Sequence, residues 1–307
     1  MQIGNQTGLS ITSLKLKVVE LSNNGNGFTV ENVDEAYFSE PVNFDKDKET
    51  KIYSVLQNAY NELLIKRPFR LSSVSLALPS ELFHVMHIPY DNSLLNEDLI
   101  EEFKWEFSVN FPYLNARDLV IQYFEMEKNN FINYNSAVVI GIQRRYLQFF
   151  STFCEKNELQ LKFIDNAHFA SERALAYNYP IQSKGLVLSV YIADNYLSLI
   201  FLFKGKPVNC KLIPLANASE IVPILQEELN TSEFVHGNRD ILDGVFINGE
   251  DITDSLVSTL EELVEVEFIK FNPFEKFDFN PALSKNRRFT ENYNSFGAAA
   301  GIAFRLS

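Results

Sequence analysis

The side chains of this chain that could do chemistry are few, and most are badly spaced for it. His84 and His87 stand three residues apart in a stretch that reads as a strand, so they point to opposite faces and make a poor metal pair. His168 on one helix and Cys154 on another fall short of the ligands a zinc site needs. Neither Gly-x-Ser-x-Gly nor Cys-x-x-Cys occurs. The acidic pairs Glu101-Glu102 and Glu261-Glu262 read as solvated helix faces. Trp105, the only tryptophan, reads as packing of a local core or as the lining of a partner groove. Lys17 reads by itself as a solvated strand lysine, and Asp194, within Ala193-Asp194-Asn195, as part of a plain hairpin turn.

The elements that must position these residues alternate between strand and helix. Leu14, Leu16 and Val18 alternate with Lys15 and Lys17 at the period of a half-buried strand, and Asn23-Asn24-Gly25-Asn26-Gly27 is a strong turn. Phe28 to Phe38 returns as a third strand. Ile52, Val55, Leu56, Ala59, Leu63 and Leu64 predict a helix that stops before Pro68, and Leu71 to Leu78 a further strand. The order recurs: strands at Leu186 to Tyr191, Leu197 to Phe203 and Val208 to Ile213, a helix bearing Ile221, Leu225 and Leu229, and a strand at Val245-Phe246-Ile247. Two copies of strand–strand–strand–helix–strand predict a duplicated α/β domain with a cleft between its halves.

An inserted segment from about Pro79 to Met126 separates them. Leu95, Leu99, Phe103 and Phe107 stack at helical spacing there, with Asn96 as candidate N-cap. Val138 to Gly141 then restarts a buried strand of the first half, and Leu147, Phe150 and Cys154 mark another helix. The expected organisation is 1–78 for the start of the first half, 79–126 for the insert, 127–182 for the completion of the first half with a connecting helix, and 183–307 for the second half.

The 307 residues, 46% hydrophobic, can bury one or two ordinary cores. A formal charge of −13 and a pI near 4.9 argue against nucleic-acid binding and against direct docking on anionic membranes. No secretory signal opens the sequence, and the most apolar run, Leu197 to Phe203, is far short of the ~20 residues that span a bilayer. With Cys154 and Cys210 alone, a reducing compartment fits. The expectation is a cytoplasmic protein whose membrane link comes through a partner.

The run Gly8-Leu9-Ser10-Ile11-Thr12-Ser13-Leu14-Lys15-Leu16-Lys17-Val18-Val19-Glu20-Leu21 resembles the opening strand–turn–strand of actin-like ATPases, in the version of the PilM family of type IV pilus assembly proteins. The resemblance continues in order along nearly the whole chain. It takes in Leu78-Pro79 with Ile88-Pro89, Trp105-Glu106 with Phe111-Pro112, and Gln122-Tyr123. Further on come Ile164-Asp165 with Phe169-Ala170 and Arg173-Ala174-Leu175, then Lys211-Leu212-Ile213-Pro214, Asn272-Pro273-Phe274 and the closing Gly297 to Arg305. It implies an actin-like (ribonuclease H-like) duplicated α/β fold with an inserted α+β subdomain.

In that family two hairpin loops wrap the phosphates of ATP and an aspartate in each holds hydrated magnesium. Here Ser10 replaces the first aspartate, and Thr12, a β-branched residue, replaces a turn glycine. The second loop offers only Asp194, with Ser189 or Tyr191 at the other alignments, and the adenosine-side glycine pair is Asn248-Gly249. The resemblance assigns any residual nucleotide contact to Thr12, Ser13, Lys17, Asp194, Asn248 and Gly249. With the magnesium carboxylates lost or moved, a degenerate ATPase without hydrolysis is expected.

The family's function then implies a scaffold. It would recruit the cytoplasmic tail of a PilN-like membrane protein through a groove beside the insert, with Phe103, Trp105 and Phe111 as partner-binding residues and a pilus motor ATPase as a further partner. The related component of type II secretion is a neighbouring reading. Two alternatives stand beside it: an ATP switch with magnesium on Asp194 or Asp165, and a filament former of the cell-division FtsA type.

Overall fold

The computed structural model describes residues 6–23, 27–69, 73–126, 128, 132–183 and 185–305. Most of the expected turn at 23–27 (residues 24–26), the first two residues of the strand read from Leu71, and residues 306 and 307 lie outside them.

The chain opens with three antiparallel strands, β1 (Gln6–Ile11), β2 (Lys15–Asn23) and β3 (Phe28–Tyr37). Helix α1 (Glu49–Lys66) follows, built on Ile52, Val55, Leu56, Ala59, Tyr60 and Leu63 and ended by Arg67-Pro68. It returns the chain to β4 (Ser73–Leu78), parallel to β1. The insert supplies β5 (Phe83–Pro89), α2 (Asn96–Asn110), β6 (Leu119–Met126) and β7 (Ser136–Gln143). Helix α3 (Arg144–Lys156) and β8 (Gln160–Asn166) complete the first sheet, and α4 (Ala167–Asn178) leads into the second half.

That half repeats the order with β9 (Leu186–Ile192), β10 (Tyr196–Phe203), β11 (Lys206–Pro214), α5 (Ile221–Thr231), β12 (Leu242–Gly249), α6 (Asp254–Val264) and β13 (Phe268–Lys270). The short β14 (Asp278–Phe279), α7 (Arg287–Thr290) and α8 (Gly297–Ala303) close the chain. The two main sheets run β14-β3-β2-β1-β4-β8 and β11-β10-β9-β12-β13. Apart from β14, the second is the first drawn again: an antiparallel three-strand meander, then two parallel strands reached by helical crossovers.

The layers follow from where apolar faces go. Helices α1 and α3 cover one face of the first sheet, with Val55, Leu56, Phe150 and Phe153 on Leu9, Leu16 and Leu76. Helices α5 and α6 cover the far face of the second, with Leu225, Leu229 and Leu260 on Leu188 and Val190. Between the sheets lie α4 and α8, both rich in alanine. Their approach is close enough that a Cβ on Gly301 would fall 1.8 Å from the Ala170 carbonyl oxygen.

The insert differs from the expected division. Strand β7 lies between β5 and β6 in a third sheet, β5-β7-β6, so the sheet of the insert runs past Met126 to Gln143. Ala137, Val138 and Val139 are all buried because α2 covers one face of this sheet, while the other packs on the two main cores. A strand buried on both faces carries no mark of which sheet owns it. Asn96 is the first residue of α2 rather than its cap, and its side-chain oxygen accepts a hydrogen bond from the Tyr123 hydroxyl.

Replacing Gly301 with alanine forces α4 and α8 apart at the layer that joins the halves. We expect a loss of about 3 kcal/mol in urea unfolding, the upper part of the range for overpacking a dense core.

Candidate functional site

The cleft between the halves is lined by two hairpin tips. In the β1–β2 tip, Thr12 N–H donates to the Lys15 carbonyl at 3.0 Å, and the Thr12 hydroxyl accepts from the backbone N–H groups of Leu14 and Lys15, each at 3.1 Å. Thr12 is not among the positive-φ residues, so the turn is rebuilt around its side chain without strain. The β9–β10 tip closes with Ala193 N–H on the Tyr196 carbonyl, 2.8 Å. The tips meet directly: Ser13 Oγ donates to Asp194 Oδ2 at 2.6 Å. Burial and the Glu250 charge raise the Asp194 carboxyl above its ordinary range, against the hydroxyls of Ser13 and Thr12 and the charge of Lys17.

Beneath the tips lies an ion cluster. Lys15 and Lys17 share a face of β2, and both ammonium groups reach the Glu250 carboxylate, Lys15 on Oε2 at 3.0 Å and Lys17 on Oε1. Lys17 is 0% exposed, which corrects its reading as a solvated lysine. It also donates to the Ser295 carbonyl at 2.9 Å, and its ammonium lies 5.5 Å from the centre of the Phe296 ring. Burial would push the Glu250 carboxyl up, but the charges and hydrogen bonds of Lys17 and Lys15 outweigh it and hold the group below its usual value. Burial would likewise lower Lys15, and the pairing with Glu250 holds it well above.

Asn248 and Gly249 set this carboxylate in place. Asn248 is fully buried, accepting from Ser171 Oγ at 2.6 Å and donating to the Val190 carbonyl at 3.4 Å. Gly249 has φ 121°, and a Cβ there would lie 2.0 Å from the Ile192 carbonyl oxygen. Only a glycine lets β12 finish against β9, where Glu250 N–H donates to that same oxygen at 2.7 Å.

Beside the cluster is a cavity of about 620 Å³ whose ionisable lining is Lys15, Lys270, Glu35, Asp251, Asp254 and Glu291, so carboxylates outnumber ammonium groups. On the hairpin side, burial and then the charges of Asp194 and Asp45 push half-buried Glu81 up to about 7. Asp165, the other aspartate considered for magnesium, is held by Arg173 and by Arg305 at 3.0 Å. Among the described residues no group of three or more histidine, cysteine or acidic side chains is arranged to hold a metal ion.

The remaining candidates lie apart from the cleft. His84 rests on Phe111 and Tyr113, while His87, on the opposite face of β5, accepts from Cys210 N–H at 2.8 Å and so ties the insert to β11. His168 is buried between Ser198 Oγ at 2.7 Å and Ser189 Oγ at 3.1 Å, away from Cys154. Phe103 is buried in the core of the insert against Tyr123, and Phe111 is half-buried on Phe107. Trp105 is 61% exposed on α2, which corrects its reading as core packing, and it is not among the residues lining the groove beside the insert.

A groove does run beside the insert, but other residues make it. It measures about 460 Å³ and lies between the edge strands β6 and β8, lined by Val120, Ile140, Leu147, Leu161, Phe163 and Arg305. Strand order is a tertiary property, so no local pattern marked β6 and β8 as edges.

Duplicated meander-plus-crossover sheets, helices sandwiched between them and a three-stranded insert define an actin-like α/β fold with an inserted α+β subdomain. No protein-family model and no curated protein matches the sequence. Among solved structures, the chain is similar to a PilM-PilN type IV pilus biogenesis complex, with a TM-score of 0.77 at 17% identity over 99% of each chain. A Bacteroides thetaiotaomicron protein of actin-like ATPase fold gives 0.54 at 12% identity, over 87% of this chain and 91% of that one. The ethanolamine utilization protein EutJ of Carboxydothermus hydrogenoformans gives 0.51 at 10% identity, over 99% and 90%. These likenesses establish the fold.

The ion cluster makes a mutational prediction. Glu250→Ala strands two buried ammonium groups and should cost about 4 kcal/mol in chemical unfolding, whereas the triple variant Lys15→Met, Lys17→Met and Glu250→Leu should recover most of it. A carboxyl lowered by folding contributes stability that is full above its unfolded pKa of roughly 4.3 and is lost as pH falls through the lower folded value. Unfolding series at stepped pH should show this acid loss in the wild type and a reduced one in Glu250→Ala.

Proposed function

We propose that this chain is an actin-like scaffold of a type IV pilus or related secretion platform, working at the inner membrane through a partner and without nucleotide chemistry. The observation that carries the reading is the groove between β6 and β8. It is apolar along its floor and flanked by unpaired edges of two sheets, the geometry in which an extended peptide adds as a strand and buries alternate side chains. One solved structure of similar fold, matched at a TM-score of 0.77 over 99% of this chain, is a PilM-PilN complex, which supports the cytoplasmic tail of a PilN-like membrane protein as occupant. Among the described residues no helix is long and apolar enough to cross a membrane, in keeping with attachment through such a partner.

The residues of the cleft do not fit magnesium-bound ATP. The Leu14 and Lys15 N–H groups that could face a phosphate are taken by the Thr12 hydroxyl. Lys17, the cation that could reach one, is bound to Glu250, and Ser13 and Asp194 bind each other across the gap. A triphosphate entering the neighbouring cavity would meet an excess of carboxylates. These four contacts within the protein compete with a nucleotide, and two of them, Lys17 with Glu250 and Ser13 with Asp194, also join the halves.

Calorimetric titration separates the two parts of this reading. A PilN-like tail peptide should bind, and Leu161→Arg or Val120→Arg should weaken it at least tenfold, about 1.4 kcal/mol, while Trp105→Ala leaves it unchanged. Magnesium-ATP should give no heat. Absence of peptide binding sinks the groove assignment, and tight ATP binding that requires magnesium sinks the nucleotide-free cleft.

A further inference from the structure

A second groove, of about 500 Å³, lies on the outer flank of the first half, between α1 and α3. Its floor carries Tyr53 and Phe149, and its charged heads are Arg145 and Lys156 of α3, with Glu49 at the start of α1. Lys156 has no carboxylate within ion-pair distance among the described residues and rests 4.7 Å from the centre of the Tyr53 ring. Arg145 donates to the Tyr146 hydroxyl at 2.7 Å, and the carboxylate it reaches, Asp45 at 3.4 Å, is exposed. The two cations are three helical turns apart, roughly 16 Å. On a chain of net charge −13, this is an aromatic-floored groove with two cations along α3, Lys156 without a carboxylate partner among the described residues and Arg145 paired only at an exposed carboxylate, that the cleft and the β6–β8 groove do not use.

The complementary chemistry stands on the opposite flank of the same molecule. At the end of α6 the sequence Glu262-Leu263-Val264-Glu265-Val266-Glu267 exposes Glu262, Glu265 and Glu267 around Leu263, itself 47% exposed. None of these three carboxylates has a cation at ion-pair distance among the described residues; the nearby Arg239 spends its Nε–H on the Val264 carbonyl at 2.7 Å. The layers run α1/α3, first sheet, α4/α8, second sheet, α5/α6, so the basic groove and the acidic knob face away from each other.

We propose that the α1–α3 groove receives the α6 end of a second copy of this chain, with Leu263 over Tyr53 and Phe149 and its glutamates on Arg145 and Lys156. A contact between different patches on opposite flanks is heterologous, so it propagates head to tail into rings or open rows rather than closing at a dimer. A scaffold assembled this way would present its β6–β8 grooves as an array. The self-contact needs neither that groove's ligand nor nucleotide, so it stands or falls separately from the function proposed above.

Sedimentation velocity at rising protein concentration and low salt tests it. The wild type should form oligomers that grow past the dimer and dissociate as salt screens the ion pairs. Arg145→Glu with Lys156→Glu, and separately Glu262→Lys with Glu267→Lys, should each remain monomeric with unchanged circular dichroism. Mixing the two double variants should restore assembly, because each junction between unlike partners again pairs opposite charges. That rescue is something misfolded variants cannot produce. A wild type that stays monomeric, an assembly that stops at two, or oligomers indifferent to either charge reversal overturns the proposal.

Discussion

The structure turns on one buried carboxylate. Glu250 comes from the second half, at the end of β12, and neutralises Lys15 and Lys17 of the first half, on β2. Charges taken out of water are tolerated only when paired and hydrogen-bonded, so these three side chains have one acceptable arrangement, and it requires the halves to be closed. The rest of the cleft conforms to that state. Gly249 admits the close approach that aims Glu250, Asn248 is pinned by Ser171 on the sandwiched helix α4, and Ser13 bonds Asp194 at the rim. Two domains that could open about a hinge are held by internal electrostatics.

Such a cluster is a poor source of net stability and a good source of geometry. The attraction between ammonium and carboxylate is largely offset by the desolvation of both, whereas the penalty for leaving either unpaired is not offset at all. The closed arrangement is therefore specified chiefly by the cost of its alternatives. That bears on the groove proposed for a peptide, because β8 belongs to the sheet that the cluster holds and β6 to the insert that His87 ties to β11. Fixing the halves fixes the spacing of the two sheet edges, and a strand-adding ligand then meets a preformed gap, with less ordering left to do on binding.

The fold was legible in the sequence because its signals are local and repeated. The spacing in α1 reflects burial of one helix face, and it and the recurrence of the strand–helix order in the second half both appear in the structure; β2 forms where its alternation placed a strand, but it is buried on both faces from Lys15 to Leu21 rather than half-buried. The ownership of β7 was not legible, since a strand apolar on both faces looks the same in any sheet. Lys17 was misread for a related reason. A lysine alternating with apolar residues on a strand signals solvent unless a distant carboxylate meets it, and Glu250 lies on another strand of another half. The core reading of Trp105 failed in the other direction: a large apolar residue two positions after Phe103 suggests core, but α2 turns it to the exposed side.

Thr12 shows how much of a site one side chain can decide. A glycine in that turn would leave the N–H groups of Leu14 and Lys15 to point at whatever enters the cleft. Threonine brings an oxygen that accepts both, forming within the loop the hydrogen bonds that an anion would otherwise supply. The exchange alone would weaken phosphate binding without abolishing it, since backbone donors can be shared. Lys17 makes it decisive. Its ammonium cannot turn toward a phosphate without leaving Glu250 charged, buried and dependent on Lys15 alone, a cost of several kcal/mol that an ordinary phosphate contact does not return. Loop and ion pair work in the same direction: restoring the turn glycine alone would free the two N–H groups but leave Lys17 bound to Glu250.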